Sequence, residues 1–425
     1  MRIVHISTWD VVGGAALAAF RLHRGLAALG GQSCMYVERK TCADPSVTAF
    51  AAPMDLWSRA RRRWRRRALA RDAARYQGSR PAGGELFSDD RSLYGASVAR
   101  QLPPCDAVNL HWVAGFVDPG SFFGNLAGGT AVVWTLHDMN PLTGGCHYDM
   151  GCGRFSERCG SCPQLGSERA DDLSRQVWRR KSAAFRQLAP QGLHLVAPSR
   201  WMAAQCARSS LLGRFRVRVI PNGVDEELFA PRDRAASRSV LNIPQDARVL
   251  LFVAHSADSK RKGFQLLEGA WARLRTLDKL FILTAGARPA GLEDVLPHLH
   301  LGYVQNERML SIAYSAADLL VIPSLQDNLP NTVLESLACG TPAVGFDVGG
   351  IPDMVRPGLT GWLAPAGDVE ALCRTVTDAL THMPQRAAIS ANCRRVVLQE
   401  YTLAHQAQRY KELYEEILVA QGGRP

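Results

Sequence analysis

The 425-residue sequence contains no apolar run long enough to span a bilayer and no short-period internal repeat. The first absence excludes a membrane-spanning helix, which needs about 20 consecutive apolar residues. The second excludes a repeat architecture. Apolar residues make up 47% of the chain and charged residues 21%, which is typical of a globular protein. The length suits two domains of ordinary size.

An export signal is missing as well. Residues 1 to 6, MRIVHI, turn polar at once and are not followed by the apolar core of a signal peptide. We therefore expect a cytoplasmic protein. Thiols stay reduced in the cytoplasm, so the eleven cysteines are better explained as free thiols or metal ligands than as a disulfide framework.

The net charge of +11 is concentrated in one segment. Arg59 to Arg75 contain nine arginines and one aspartate, which is +8, so the 408 residues outside these 17 carry only +3. Trp57 and Trp64 lie beside and inside this segment. Such a helix suggests a peripheral contact with an anionic membrane that carries the acceptor; the alternative is a solvated helix or insertion. Nucleic acid ranks last, because no base-stacking or DNA-reading motif accompanies the charge.

Apolar runs alternate with helical periodicity in the order βαβα, which predicts parallel sheets covered by helices. In the first half, a strand at Arg2 to Ile6 leads through a Gly13-Gly14 loop into a helix from Ala15 to Leu29. The other strands predicted in this half are Cys34 to Val37, Ala107 to Leu110, Val132 to Leu136, Leu193 to Ala197, and a last one beginning at Val217.

The second half restarts the pattern after a charged segment, Glu226 to Arg238, that we interpret as a linker. Two Rossmann-like domains, residues 1–225 and 226–400, follow from this order. A final helix, Thr402 to Ala420, falls in the remaining segment, 401–425. The strands predicted in the second half are Val249 to Val253, Leu280 to Thr284, Leu299 to Gly302, Leu319 to Ile322 and Ala343 to Phe346.

Residues 323 to 355 are the most informative stretch. They place Asp327 and Glu335 on either side of a helix start, where Pro330 suits the first turn. The free amides and the dipole at such a start favour a phosphate or a sugar hydroxyl. Glu335 lies about one turn further in, near enough to bind a vicinal diol. The pattern suits a nucleotide sugar; the alternative is an ordinary capped helix with an acidic first turn.

The run from Pro323 to Gly350 resembles the donor-binding motif of retaining glycosyltransferases of family four (glycosyl transferases group 1). In that motif two acidic residues are separated by seven others, and here they are Asp327, where the family usually has Glu, and Glu335. The resemblance covers nearly the whole chain. It implies the GT-B fold, an α/β fold with two Rossmann-like domains facing each other across a cleft, and a final helix that packs back on the first domain.

The resemblance also assigns roles to residues. Glu335 would hold the ribose diol of a nucleotide diphosphate sugar, and Asp327 and His137 would contact the donor sugar. Lys262, with Arg261 beside it, would stabilise the charge that develops on the leaving diphosphate. The alternative for these two residues is an ordinary basic surface cluster. The implied donor-binding set also includes Gly13, Gly14, Asn328, Leu329, Asn331 and Thr332.

His255-Ser256 stand where the family usually has an arginine after the first strand of the second domain. Lys260 or Arg261 is expected to compensate for the missing cation. No catalytic metal is expected from the resemblance.

Four cysteines fall in one glycine-rich loop, residues 144–163, which closes with Cys-Gly-Ser-Cys. They suit a tetrahedral structural zinc site, although an iron–sulfur cluster or two disulfides would use the same atoms. His147 is an alternative ligand. A similar loop occurs in some bacterial exopolysaccharide glycosyltransferases, and here we expect it to shape the acceptor side of the cleft. The four cysteines are Cys146, Cys152, Cys159 and Cys162.

These features predict a retaining hexosyltransferase that moves a sugar from a nucleotide diphosphate sugar to a lipid-linked saccharide in cell-surface polysaccharide biosynthesis. It would work in the cytoplasm, peripheral on the inner face of the membrane. No pair of carboxylates is seen to flank a reacting carbon, which fits front-face attack with the leaving phosphate taking the acceptor's proton. The alternatives are a nucleotide-sugar epimerase of the same fold and a zinc-containing, basic nucleic-acid-binding protein.

Overall fold

The computed structural model describes residues 1–254, 259–287, 296–381 and 386–422. The chain divides into two compact units. The first unit comprises Met1–Pro221 together with Gln406–Pro425, and the second comprises Asn222–His405.

The first unit is built on a seven-stranded parallel sheet in the order β3-β2-β1-β4-β5-β6-β7. Its strands are β1 (Arg2–Trp9), β2 (Gln32–Arg39), β3 (Val47–Ala49), β4 (Ala107–Leu110), β5 (Ala131–Thr135), β6 (His194–Ala197) and β7 (Val217–Val219). Its helices are α1 (Gly14–Ala28), α2 (Leu56–Ala74), α3 (Ser97–Arg100), α4 (Pro119–Phe122), α5 (Leu173–Arg186) and α6 (Arg200–Arg208).

The second unit is built on a six-stranded parallel sheet in the order β10-β9-β8-β11-β12-β13. Its strands are β8 (Arg248–Ala254), β9 (Leu280–Gly286), β10 (His298–His300), β11 (Leu319–Ile322), β12 (Ala343–Phe346) and β13 (Gly361–Ala364). Its helices are α7 (Arg234–Val240), α8 (Phe264–Leu274), α9 (Glu307–Ala316), α10 (Asn331–Ala338), α11 (Ile351–Met354), α12 (Val369–Thr381) and α13 (Arg386–Glu400).

Both sheets are buried on their two faces. In β8, Leu250 belongs to one hydrophobic cluster and Leu251 to the cluster on the opposite face, as the two-residue period of a strand requires. In the first unit, Ile3 and Val4 alternate in the same way. Continuous apolar strands of this kind are expected only where helices cover both faces of a parallel sheet.

The last helix, α14 (Leu403–Ala420), covers part of the first sheet. Tyr414 accepts a hydrogen bond from the Asn109 side chain at 2.9 Å, and the Tyr410 hydroxyl lies 2.8 Å from that of Thr135. Asn109 and Thr135 lie on β4 and β5, so the helix is fixed by polar contacts as well as by apolar packing. No helix in the described ranges is long and apolar enough to cross a membrane.

The strand order changes direction once in each sheet. The first unit adds β2 and β3 on one side of β1 and then places β4 on the other side, and the second unit does the same with β8 and β11. In open parallel sheets, ligands bind beyond the carboxyl ends of the strands at such a switch point. A ligand site is therefore expected in the loops after β1 and β4 of the first unit, or in those after β8 and β11 of the second.

The predicted fold of two Rossmann-like domains with parallel sheets is confirmed, and most predicted strands lie within two residues of the observed ones. Two strands were not predicted: β3, which has three residues, and β13, which begins with Gly361. The interpretation of Glu226 to Arg238 as a linker was wrong in part. Asp233 caps α7 by accepting a hydrogen bond from Ala236 N at 2.7 Å, so a helix begins inside that segment.

Gly263, in the loop after β8, packs closely against Pro323, which follows β11. Its φ is +68°, and an added Cβ would lie 1.8 Å from the carbonyl oxygen of Pro323. We expect Gly263→Ala to lower the free energy of unfolding by about 2 kcal/mol or more, because it combines backbone strain with a clash against backbone. Denaturant unfolding measures the change.

Gly269 is the matched control, since it lies inside α8 with open space around an added Cβ. Gly269→Ala should stabilise the protein by about 1 kcal/mol through helix propensity. Equal effects at the two positions would contradict the close approach of Gly263 to Pro323.

Candidate functional site

A buried ion cluster lies at the switch point of the second unit. Lys262 follows β8, Asp327 follows β11, and the Lys262 ammonium donates to Asp327 Oδ2 at 2.6 Å. Arg261 Nη1 lies 3.4 Å from Asp327 Oδ1 and donates to the carbonyl of Gln326 at 2.9 Å. The structure thus brings together three residues that the sequence analysis had assigned separately to the diphosphate and the donor sugar.

Asp327 is ionised in this setting. Burial by itself raises the pKa of its carboxyl group, but Lys262 and Arg261 outweigh burial, so the pKa lies below the ordinary value of 3.8. The Ser324 hydroxyl donates a further hydrogen bond at 3.3 Å. The carboxylate therefore holds the Lys262 ammonium at the sheet edge.

The backbone beside Asp327 is fixed by a close approach. An added Cβ at Gly349 would lie 1.9 Å from the Asp327 carbonyl oxygen, which also accepts a hydrogen bond from Gly350 N at 3.0 Å. Gly349 has a φ of +59°, which favours glycine. The loop after β12 thus supports the loop after β11.

Glu335 lies on α10, with only 4% of its surface exposed. One of its carboxylate oxygens accepts a hydrogen bond from the Tyr314 hydroxyl of α9 at 3.0 Å. Tyr314 is fully buried and was not identified from the sequence. A carboxylate oriented in this way can accept hydrogen bonds from a diol once a ligand reaches it.

The other predicted donor-binding residues of this unit surround the start of α10. Asn328 and Leu329 are buried in the loop before the helix, and Asn331 and Thr332 form its first turn. The side-chain oxygen of Asn331 accepts a hydrogen bond from Asn222 Nδ2 at 3.1 Å. His255 and Ser256 lie outside the described residues.

In the first unit, Gly13 and Gly14 follow β1 as predicted. Gly13 precedes α1 with a φ of +91°, and nothing lies within 4 Å of an added Cβ, so it is backbone conformation that favours glycine there. Asp10 anchors this loop. Burial raises the pKa of Asp10, but hydrogen bonds from Cys42 and Thr41 outweigh burial and bring the pKa to about 2.

His137 lies at the end of a chain of imidazoles. His137 Nε2 is 2.9 Å from His111 Nδ1, and His111 Nε2 is 2.9 Å from His5 Nδ1. Burial lowers the pKa of His137 to about 4, against the opposing charge of Asp138. Burial also lowers the pKa of His5 and of His111. All three rings are therefore neutral at physiological pH.

The hydrogen-bond pattern favours one set of tautomers. Within the described residues, His5 Nε2 has no hydrogen-bond partner, and a buried unpaired N–H is rarer than an unpaired acceptor. The Nδ1 proton of His5 then points to His111, and the Nδ1 proton of His111 points to His137. In this arrangement His137 accepts a hydrogen bond at Nε2 and carries its own proton on Nδ1.

His147, the alternative ligand considered for the cysteine loop, is hydrogen-bonded through both ring nitrogens. Its Nδ1 lies 2.6 Å from Asp138 Oδ2, and its Nε2 lies 2.8 Å from the Ser88 hydroxyl. Both ring nitrogens are therefore engaged. Trp112 Nε1 also donates to Asp138 Oδ2, at 2.9 Å.

The sequence analysis missed several residues of these clusters, among them Asp10, His111 and Tyr314. Asp10 and His111 each come directly after a strand, at the edge where ligands bind in parallel sheets. That position was the signal available, and the same signal had identified His137. Tyr314 gave no signal, because its role depends on the packing of α9 against α10.

Two parallel α/β units, each with polar side chains at its switch point, define a protein of the GT-B fold class. Residues 12–228 match the model of glycosyltransferase family 4, and residues 247–382 match that of glycosyl transferases group 1. The first match covers more than half of the chain. The chain belongs to glycosyltransferase family 4.

Curated relatives share part of the sequence. The D-inositol 3-phosphate glycosyltransferase of Thermobispora bispora is 32% identical over 219 residues, which are 48% of this chain and 51% of that protein. The protein of the same name from Mycobacterium bovis is 33% identical over 181 residues, covering 40% of this chain and 36% of that one. The chain spans about half the length of the first of these relatives, and less of the second.

Solved structures resemble the whole chain. Sucrose-phosphate synthase from Thermosynechococcus elongatus superimposes with a TM-score of 0.66 at 18% identity, covering 99% of this chain and 100% of that one. HepE from Anabaena, in complex with UDP-glucose, gives 0.64 at 15% identity, covering 98% and 100%. Identities this low establish the fold alone.

The buried pair between Asp327 and Lys262 generates a prediction about pH. The pKa of Asp327 is lowered on folding, so the pair's contribution to stability is complete above the unfolded value near 3.8 and is lost as the pH falls through the folded-state value. We expect Asp327→Asn to cost about 3 kcal/mol at neutral pH and progressively less below about pH 4. Denaturant unfolding across this pH range measures the difference.

Asp171→Asn is the control, because its pair with Arg179 is exposed, with 62% and 61% of the two side chains accessible. Its effect should stay below about 1 kcal/mol at every pH. A cost for Asp327→Asn that did not shrink on acidification would show that the ion pair is not its source.

Proposed function

We propose that this protein is a glycosyltransferase that uses a nucleotide diphosphate sugar as donor. The observation that carries the proposal is the convergence of Lys262, Arg261 and Asp327 at the switch point of the second sheet. Two fixed cations at the binding edge suit a diphosphate better than any neutral ligand. Family membership supports the same reading, and HepE supports a uridine donor through its complex with UDP-glucose.

In this proposal, Lys262 and Arg261 act on the leaving group. The diphosphate gains negative charge as the bond to the sugar breaks, and preorganised cations stabilise that charge more than they stabilise the bound donor. Asp327 keeps the Lys262 ammonium in position, and Glu335 accepts hydrogen bonds from the ribose diol. The amides near the start of α10, from Asn328 to Thr332, complete the donor site.

The proposed reaction retains the configuration of a transferred hexose. The leaving phosphate takes the proton of the acceptor hydroxyl on the same face, so neither a pair of catalytic carboxylates nor a catalytic metal is required. His137 is proposed to donate a hydrogen bond from Nδ1 to a hydroxyl of the donor sugar, with Gly13 and Gly14 allowing close approach of backbone. The proposed acceptor is a lipid-linked saccharide in cell-surface polysaccharide synthesis.

We further propose that α2 rests on the inner face of an anionic membrane. Trp57 is 86% exposed, Leu56 80% and Trp64 68%. Two arginines of the segment are engaged within the protein. Arg65 donates to the Ser92 carbonyl at 2.8 Å and to Asp118 at 3.2 Å. Arg62 donates to the Pro53 carbonyl. The other arginines of the segment are exposed and, with the aromatic rings, match the charge and polarity of a lipid interface.

Turnover by the purified full chain tests the enzymatic proposal. UDP, GDP and ADP sugars are supplied with and without a saccharide acceptor, and release of nucleoside diphosphate is measured. We expect release from one donor class that depends on the acceptor. Lys262→Met should lower kcat by roughly 100-fold or more, and Glu335→Gln should mainly raise KM for the donor.

The controls are Lys279→Met and Glu370→Gln, which change exposed residues of the same unit and should leave turnover unaffected. Conversion of the donor without any acceptor would instead indicate an epimerase. If no donor is turned over and none shifts the melting temperature, the transferase proposal is wrong.

Vesicle flotation tests the proposed membrane contact. The full chain should float with vesicles rich in phosphatidylglycerol and not with pure phosphatidylcholine, and added salt should release it. Replacing Arg59, Arg61, Arg63 and Arg66 by Gln should abolish flotation. Replacing four exposed arginines elsewhere, namely Arg24, Arg216, Arg395 and Arg409, should preserve it. Equal loss of flotation in both variants would show that net charge, and not α2, causes the binding. Salt-sensitive binding to DNA without binding to vesicles would favour the nucleic-acid alternative.

A further inference from the structure

Four cysteines of the first unit share one cavity. Cys146, Cys152, Cys159 and Cys162 all line a single cavity between β5 and α5. Three of them are at most 8% exposed, and Cys152 is partly buried. The remaining seven cysteines of the chain do not line this cavity.

The cavity has room for a single water-sized occupant. Its volume is about 20 Å³, and a cavity needs about 10–15 Å³ to hold a single water-sized occupant.

A backbone amide is directed at one of the sulfur atoms. Gly144 N donates to Cys159 Sγ at 3.1 Å. Such an N–H group stabilises negative charge on sulfur and gains little from a neutral thiol, which is a weak acceptor. The buried ammonium of Lys181 donates to the carbonyl oxygens of Asn140 and Thr143, next to the cysteine loop, at 2.6 Å and 3.2 Å.

The surrounding loop contains little regular secondary structure. Between β5 and α5 the described chain forms only short 3₁₀ turns, Asn140–Leu142, Arg154–Ser156 and Pro163–Leu165. Loops of this length without regular structure are uncommon in compact domains. Its glycines allow tight packing: an added Cβ would lie 2.2 Å from a backbone oxygen at Gly144 and 2.4 Å at Gly160.

We propose that Cys146, Cys152, Cys159 and Cys162 bind one structural zinc ion as four thiolates. Binding forms four Zn–S bonds and releases the thiol protons to solvent, with no change of oxidation state. Four protein ligands leave no open position, so the ion has a structural and not a catalytic role. No set of three or more His, Cys, Asp or Glu side chains in the described part of the chain is already arranged to hold a metal, and the proposal therefore requires the sulfur atoms to move together when the ion binds.

Metal content and thiol count of the untagged full chain test this proposal. After dialysis into metal-free buffer, elemental analysis should find one zinc per chain, and a mercurial reagent should release it. After denaturation in a chelator without reductant, all eleven cysteines should react as thiols. Loss of zinc should lower the melting temperature, because metal binding is coupled to the folding of such a loop.

A double variant, Cys159→Ser with Cys162→Ser, should contain no zinc, whereas the control Cys42→Ser with Cys105→Ser should keep one. The measurements on the unmodified protein decide the question even where the first variant does not fold. Iron with visible absorbance overturns the proposal in favour of a cluster. Seven reactive thiols overturn it in favour of two disulfides, and a metal-free protein with eleven thiols overturns it outright. None of these outcomes depends on the proposed transferase activity.

Discussion

The parallel pairing of β8 with β11 brings the residues after these two strands to one edge of the sheet. Lys262 and Asp327 are 65 positions apart in sequence, yet their side chains meet at 2.6 Å because their strands are neighbours. Asp327 is buried, and a buried ion without a partner carries a penalty of several kcal/mol. The pairing of the two strands therefore gives Asp327 the partner that its burial requires.

A second ion cluster lies at the opposite end of the same two strands. Asp318 precedes β11, is fully buried, and accepts hydrogen bonds from Val249 N at 2.7 Å and from Arg238 at 2.9 Å. Arg234 and Arg386 also pair with it. Asp318 thus has three arginine partners, but the cluster lies at the amino end of the strands, whereas ligands of parallel sheets bind at the carboxyl end. The end of the strands at which an ion cluster lies, more than its charge, therefore distinguishes a candidate ligand site from a cluster that supports the fold.

The fold was largely predictable because buried strands are continuous apolar runs. Ala107–Leu110, Leu319–Ile322 and Ala343–Phe346 were predicted with the observed bounds, since each is buried throughout and flanked by polar residues or Gly and Pro. Val47–Ala49 was missed because a three-residue edge strand is defined by its partner β2 and not by its own pattern. Part of the candidate site, including Lys262, Asp327 and His137, was proposed from strand ends and motifs. Side-chain pairings within the site, such as Tyr314 with Glu335, could not be predicted from the sequence, because they depend on which helices pack together.

The loop after β5 connects the histidine chain to the cysteine cavity. Asp138 follows His137 directly and holds His147, which lies next to Cys146 in sequence. Lys181 of α5 donates to the carbonyl oxygens of Asn140 and Thr143 at 2.6 Å and 3.2 Å, and so fixes the stretch between them. His147 and Asp138 thus join the cysteine loop to the backbone next to His137. The ring of His137 itself is held by the imidazole chain, through His111 Nδ1 at 2.9 Å.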